Sequence, residues 1–187
     1  NYLISNDKKG NLIIFSLNKD KVIQKFNFYK KKYKKISKRL FIKVENNIIF
    51  VTDNLGYIYA LNYSNQKLLW AKNYKIPFRS NLKLFKNNIF ATNQDNTLFI
   101  VNKYNGERLK SFPTEEVILK NNFINSLAIY KKGLFYLNTY GSLYSINLTN
   151  NKINWFINLN KSYDLNSNNL FYSNPIVINN NRIIIST

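Results

Sequence analysis

"GYIYALNYSNQKLLW", residues 56–70, is a stretch that occurs again, in altered form, along the chain. Residues 141–155, GSLYSINLTNNKINW, match it without a gap and keep its Gly, second Tyr, Asn, Lys and Trp. A third copy at 96–110, NTLFIVNKYNGERLK, has Asn96 in place of the first Gly, and a fourth at 10–24 reads GNLIIFSLNKDKVIQ. The copies begin 46, 40 and 45 residues apart. A period of this size indicates a repeat architecture.

Alternating apolar and polar residues within one repeat predict short antiparallel strands joined by tight turns. In the second repeat the expected strands are 47–52, 57–62, 67–72 and 81–85. Four strands in about 40 residues predict an all-β fold, a β-propeller of four-stranded antiparallel blades, because each blade needs neighbours to cover its faces. Only residues 113–125 contain a pattern that could form a helical turn.

The strand pattern places about four blades in this chain, which we interpret as a fragment of a larger propeller. The predicted blades are 1–45, 46–86, 87–131 and 132–179, and 180–187 would be the first strand of the next blade. Six positions are expected to be structural because they recur in the repeats: Gly10, Gly56, Trp70, Asn96, Gly141 and Trp155. Glycine suits a tight turn before the second strand. The tryptophans are predicted to lie on the third strand as buried anchors between blades.

Composition limits the chemistry that this chain can perform. The sequence has no Cys and no His, so disulfides, thiol nucleophiles, Cys or His metal ligands and Ser-His-Asp catalysis are excluded within it. Only nine Asp and Glu are present, and a calcium site needs converging carboxylates. No apolar run is long enough to span a membrane. We therefore expect no catalytic residue, no cofactor and no metal.

The net charge of +19 is spread widely, which is typical of composition drift toward Lys and Asn in an AT-rich genome. The exception is YKKKYKKISKR, residues 29–39, which contains seven Lys or Arg. We interpret the Lys30–Arg39 run as a solvated loop between strands, with a patch for phosphate or an anionic membrane surface as the alternative. The Gly-aromatic motifs of RNA-binding sheets are missing, so nucleic acid is not an expected partner.

Residues 48–73, IIFVTDNLGYIYALNYSNQKLLWAKN, resemble the repeat of the quinoprotein-like, pyrroloquinoline-quinone-type β-propellers through Gly, Tyr-Ala-Leu and Trp. Within that superfamily, residues 76–102 are similar to part of the BamB family of outer-membrane assembly factors of alphaproteobacteria, including a PxRS element. The family's usual Asp after the second strand is replaced here by Asn62, Asn102 and Asn147.

The resemblance implies a non-catalytic, eight-bladed scaffold at the periplasmic face of the outer membrane. Such a scaffold binds a component of the β-barrel assembly machinery, and a lipid anchor outside this chain would attach it to the membrane. Arg79, in the PFRS sequence, is the candidate partner contact. The alternative for Arg79 is a structural role in which it bonds carbonyl groups between blades.

Two other functions remain open at the level of sequence. A quinoprotein dehydrogenase would hold its quinone beside calcium with Arg, Trp and acidic side chains, and Asp53 or Asp164 could act as its base. Such enzymes commonly carry a vicinal disulfide, which this chain cannot form. The second alternative is a charge-driven binder of nucleic acid or acidic partners, in which the Lys30–Arg39 run would dominate.

Overall fold

The computed structural model describes residues 1–115, 122–160, 170–172 and 174–186, and the regular secondary structure of these residues is almost entirely β-strand. The strands are β1 Tyr2–Asn6, β2 Leu12–Ser16, β3 Lys21–Phe26, β4 Leu40–Glu45, β5 Ile48–Asp53, β6 Tyr57–Asn62, β7 Lys67–Asn73, β8 Lys83–Phe85, β9 Asn88–Thr92, β10 Leu98–Asn102, β11 Arg108–Phe112, β12 Ser126–Tyr130, β13 Gly133–Leu137, β14 Ser142–Asn147, β15 Lys152–Asn158, β16 Val177–Asn179 and β17 Arg182–Ile184. A short 3-10 turn covers Lys31–Tyr33. In the described part of the chain, no helix has the length and apolar character needed to cross a membrane.

Two compact units make up the chain, and the first is Asn1–Pro77. It contains an antiparallel sheet in the order β1-β2-β3 and a second in the order β4-β5-β6-β7. The two sheets bury one shared apolar cluster: Leu12, Ile14, Leu40, Ile49, Val51, Tyr59 and Leu61. Alternate residues of β2 enter this cluster, as the period of two along a strand requires. Neither sheet could bury these side chains alone.

The second unit is Phe78–Thr187 and follows the same plan. Its sheets have the orders β8-β9-β10-β11, β12-β13-β14-β15 and β16-β17. The first two sheets share a core: Phe90, Leu98, Ile100, Leu127, Leu134, Tyr136, Ile146 and Leu148. A second cluster contains Ala128, Leu137, Leu143 and Ile176, with Ile178 and Ile183 packed against it.

In four sheets the last two strands pair in the same way, and each pair contains a β-bulge at an equivalent position. A bulge lies between Ile14 and Phe15 in the first sheet and between Ala60 and Leu61 in the second. The two four-stranded sheets of the second unit have it at Ile100/Val101 and at Ser145/Ile146. A bulge strengthens the local twist of a strand. The sequence repeat is therefore also a repeat of backbone geometry.

The sheets divide the chain one strand earlier than the predicted blades at 1–45, 46–86, 87–131 and 132–179. The strand predicted to end each blade instead begins the next sheet, as β4 does by pairing with β5. The reason is a two-residue hairpin loop whose first residue has positive φ, 52° at Asn46, 51° at Lys86 and 52° at Lys131. The last segment follows the same rule, since β16 and β17 form a hairpin.

The tryptophans differ from the expectation of buried anchors on a third strand. Trp70 lies on β7 and Trp155 on β15, each the fourth strand of its sheet. Trp70 is half-buried, whereas Trp155 is 43% exposed, with its ring 6.1 Å from that of Phe135. The whole of β15, the edge strand of its sheet, is exposed. The prediction of a buried anchor is therefore wrong for Trp155. Six residues of the predicted helical turn at 113–125, those at 116–121, lie outside the described ranges.

Candidate functional site

Glycine or asparagine occupies the same point in four equivalent hairpin turns. Gly10, Gly56 and Gly141 all have φ of +83°, and Asn96 has φ of +55°. Only glycine adopts such a conformation without strain, and Asn tolerates it better than most residues. At Gly56 a Cβ would also lie 2.9 Å from the backbone nitrogen of Ile76. The four Gly and Asn positions chosen from the repeats are thus turn positions.

Each of these turns begins with an Asp or Asn whose side chain organises it. The Oδ1 atom of this residue accepts hydrogen bonds from the backbone N–H groups two and four residues later, at 2.8–3.0 Å in every case. The four residues are Asp7, Asp53, Asn93 and Asn138. Asn serves as well as Asp because one side-chain oxygen is used. The spacing, Asp or Asn three residues before Gly or Asn, was visible in the sequence.

Asp53 combines this turn role with complete burial. Its Oδ2 atom accepts a hydrogen bond of 2.5 Å from the hydroxyl of Tyr29, and its exposed fraction is 0%. Burial raises the pKa of the Asp53 carboxyl and also raises the pKa of the Tyr29 and Tyr59 hydroxyls. Both oxygens of Asp53 are therefore bound within the protein, which does not favour the base role considered above. Asp164 lies outside the described residues.

Arg79 lies just before β8, where the second unit joins two of its sheets. Its backbone N–H donates to the carbonyl of Thr92 at 2.9 Å, and its carbonyl accepts from the N–H of Asn125 at 2.8 Å. The guanidinium Nη2 donates to Oε1 of Gln94 at 3.3 Å, in the turn after β9, and the side chain is half-buried. The neighbouring Ser80 forms a parallel bridge with Asn125. The structure thus shows a fixed backbone at Arg79, and the partner contact stays a prediction.

The Lys30–Arg39 run forms the connection between β3 and β4, and one part of it departs from a solvated loop. Lys38 is only 4% exposed, and its ammonium donates to the carbonyl of Tyr33 and lies 5.3 Å from the centre of the Tyr29 ring. Its backbone N–H donates to the carbonyl of Lys8 at 2.9 Å. Lys30, Lys31 and their neighbours through Lys35 are exposed apart from half-buried Tyr33.

A pocket of about 430 Å³, called the basic pocket below, lies beside this run in the first unit. Its walls are formed by Lys9, Asn11, Asn27, Tyr29, Lys30, Lys31, Lys34 and Lys38. Gly10 makes the arrangement possible, because a Cβ there would lie 2.5 Å from the Tyr29 ring and 3.2 Å from Cγ of Lys38. Sequence analysis identified the basic run but missed Lys9, Asn11 and Asn27, which lie far from it along the chain.

Metal ligands do not cluster in the part of the chain that the structure describes. No group of three or more His, Cys, Asp or Glu in those residues could hold a metal ion.

Comparison of the fold with solved structures gives the architecture. The structure of BamB from Moraxella catarrhalis superimposes with a TM-score of 0.65 at 10% sequence identity, covering 82% of this chain and 45% of that chain. The computationally designed Ika4 protein superimposes with a TM-score of 0.63 at 11% identity, covering 79% of this chain and 86% of that one. The sheets are β-propeller blades. The chain spans less than half the length of the BamB structure that it matches.

Sequence comparisons give no such match, since no family model and no curated protein matches the chain. Identity near 10% to solved structures supports the fold alone. Membership of the pyrroloquinoline-quinone-type repeat family stays a prediction.

Proposed function

We propose that these blades belong to a non-catalytic propeller scaffold that binds a protein partner in the cell envelope. The role we assign is like that of BamB, in the assembly of outer-membrane β-barrel proteins at the periplasmic face of the outer membrane. The similarity of fold to BamB supports this proposal, although the designed Ika4 protein shares the fold to a similar degree. Fold alone therefore does not select the function.

The observation that carries the proposal is the setting of Arg79. Its backbone is held on both sides, by Thr92 and by Asn125, so the position of its Cα is fixed before any partner arrives. Its half-buried guanidinium lies beside the turn at Gln94, at the end of the sheet. Arginine on a rigid element is a common binding hot spot, because little conformational freedom is lost when the partner binds.

The proposal is tested by measuring binding of the chain to the barrel-assembly protein encoded in the same genome. We expect Arg79→Ala to weaken binding at least about thirtyfold, because a hot spot contributes about 2 kcal/mol or more. Arg182→Ala is the matched control, because Arg182 is an exposed arginine of the same unit, on β17. Equal effects of the two variants would remove Arg79 from the interface, and no binding by the unaltered chain would reject the scaffold role proposed here.

The cellular location is tested separately. Density-gradient separation of the membranes of the source organism should recover the protein with the outer membrane. Recovery in the cytoplasmic fraction would contradict the envelope assignment, whatever the binding assay shows.

A further inference from the structure

We propose that the basic pocket of the first unit binds a ligand that carries phosphate groups. This inference is independent of the scaffold function, because it depends on a different unit of the chain and on different residues.

Charge is the first argument. Five of the eight residues that line the pocket are lysines. Two carboxylates are hydrogen-bonded to residues of the lining. Asp7 accepts hydrogen bonds from the backbone N–H of Lys9 and from Asn11, and Asp53 accepts one from the Tyr29 hydroxyl. Ammonium groups gathered at one place repel each other, and an anion bound among them relieves that repulsion. Several lysines around one small volume favour a ligand with more than one negative charge.

The second argument is that one of these lysines is built into the fold. The side chain of Lys38 is buried against Tyr29 and Gly10, and its backbone is bonded to Lys8. An ammonium group has three donors, and the carbonyl of Tyr33 accepts from this one. A buried cation is costly unless it is paired. A phosphate oxygen in the pocket would supply that pairing at a donor whose position is fixed in advance.

The third argument concerns size and the competing partner. A volume of about 430 Å³ lies within the usual range for small-ligand sites. The lining offers ammonium and amide groups, which suit phosphate oxygens. A single-stranded nucleic acid would need aromatic faces open for stacking. Tyr29 is half-buried, and its ring is already contacted by Phe28 and by Lys38. The pocket therefore fits a compact phosphorylated group better than a nucleic-acid strand.

The test is a calorimetric titration of the chain with inorganic pyrophosphate at low salt. Lys31→Gln with Lys34→Gln removes two charges from exposed positions of the pocket and is expected to weaken binding at least about tenfold, with further weakening as salt screens the rest. Lys19→Gln with Lys21→Gln removes the same charge from exposed residues of the same unit that do not line the pocket. This control is expected to change affinity less than about twofold.

Lys38→Met adds a sharper measurement, because it keeps the buried stem and removes the ammonium. We expect it to abolish pyrophosphate binding while circular dichroism shows an intact β-fold. The paired Lys31 and Lys34 variant carries the test if the Lys38 variant does not fold. Equal losses in that variant and in the Lys19 and Lys21 control, or no pyrophosphate binding at all, would overturn the proposal.

The source of the phosphate is distinguished by a second ligand, vesicles of phosphatidylglycerol. Vesicle binding that pyrophosphate displaces and that the Lys31 and Lys34 variant loses would identify a lipid headgroup. Pyrophosphate binding without vesicle binding would identify a soluble phosphorylated compound. Vesicle binding that is equal in both paired variants and is not displaced by pyrophosphate would reflect net charge alone and would contradict the pocket.

Discussion

The turn at Asp53 in the first unit and the turn at Asn138 in the second have the same backbone hydrogen bonds, but the carboxylate lies in the turn in one case and in the connection that contacts it in the other. Each receives a side chain from a residue three positions beyond the edge strand of the preceding sheet, Tyr29 after β3 and Glu115 after β11. In the first unit the turn supplies the carboxylate and the connection supplies the hydroxyl. In the second unit the turn supplies the amide and the connection supplies the carboxylate.

Exposure decides what the carboxylate does in each place. Asp53 is fully buried, and burial raises its pKa even though Tyr29 and backbone amides lower it. Burial also raises the pKa of Glu115, but hydrogen bonds from Ser142, Asn138 and Tyr144 outweigh it and the net pKa is lowered. Glu115 remains exposed to solvent, at hydrogen-bond distances of 2.5 Å from Ser142 Oγ and 2.6 Å from Asn138 Nδ2. The comparison shows that the carboxylate of this contact can come either from the turn, as Asp53 does, or from the connection, as Glu115 does.

The largest expected effect comes from the glycine of the turn. Gly56→Ala should lower the free energy of unfolding by about 2–4 kcal/mol, because it combines a strained positive φ with a backbone clash. The clash involves the backbone nitrogens of Ile76 and Lys75, at 2.9 and 3.0 Å from the added Cβ. Urea unfolding measures this loss.

Two matched glycines sharpen that prediction. Gly141→Ala has the same φ, but the atoms nearest its Cβ would be side-chain atoms of Phe171 and Asn160, at 3.0 and 3.1 Å, and not backbone atoms. Its loss should therefore be smaller than at Gly56. Gly133→Ala, with no positive φ and a 3.3 Å contact to the Phe135 ring, should cost least. An equal loss at Gly56 and Gly133 would contradict the account.

Removal of the Tyr29 hydroxyl is the next largest effect. Tyr29→Phe leaves Oδ2 of a fully buried carboxylate without the hydroxyl that donates to it, and should destabilise the chain by about 1–3 kcal/mol. Tyr144→Phe removes a 3.1 Å bond to the exposed Glu115 and should cost less than about 0.5 kcal/mol. Thermal unfolding of the two variants side by side measures the difference. Similar melting temperatures for both would break the comparison between the turns.

Exchange of the turn residues tests whether the two designs are interchangeable. Asn138→Asp keeps the turn acceptor but loses the donor to Glu115 and places two carboxylates together, so a loss of about 1 kcal/mol is expected. Asp53→Asn keeps the same acceptor and removes a buried charge, so its loss at neutral pH should be the smaller one. Urea unfolding at pH 7 measures both, and a larger loss for Asp53→Asn would contradict the electrostatic contrast.

The smallest effect is the pH dependence of the two acids. The lowered pKa of Glu115 means that its contribution is present above the unfolded pKa and is lost as pH falls through the folded pKa. Solvent screening keeps this contribution small. The raised pKa of Asp53 gives the opposite sign, since stability is lost as pH rises from the unfolded value through the folded one.

Urea unfolding between pH 3 and pH 7 checks both signs. The advantage of the unaltered chain over Glu115→Gln should grow as pH rises. The free energy of unfolding of the unaltered chain, relative to that of Asp53→Asn, should fall over the same pH range. Parallel pH profiles for the two variants would show that the turns do not differ electrostatically.

Most of the fold could be predicted from the sequence repeat, because strand alternation and turn residues are local signals. Gly56 and Gly141 could be placed in equivalent turns from spacing alone. The partition of strands into sheets was predicted wrongly, although the loop at Asn46 that settles it is also local. A two-residue loop with positive φ makes its two flanking strands pair with each other. The boundary between sheets therefore follows these loops and not the boundary of the sequence repeat that ends at Trp70.

The candidate sites were less accessible to sequence reasoning. The contacts of Tyr29 with Asp53 and of Glu115 with Ser142 join residues that are 24 and 27 positions apart, and no local pattern marks them. The basic run could be recognised in the sequence, but the pocket is also lined by Lys9 and Asn27, which are distant from that run along the chain. Trp70 and Trp155 occupy the same place in the repeat and both lie on edge strands, but only Trp155 is exposed, so the repeat alone could not predict that exposure.

The hairpin turns use a single side-chain oxygen, and this has a consequence for how the gene can change. Codons for Asp and Asn differ by one G-to-A transition, so a mutational bias toward A and T can convert one into the other without breaking the turn at Asn93 or Asn138. Each such change removes one negative charge and keeps the hairpin. A net charge of +19 can therefore accumulate as a neutral by-product of base composition, while selection acts on the oxygen that the backbone needs.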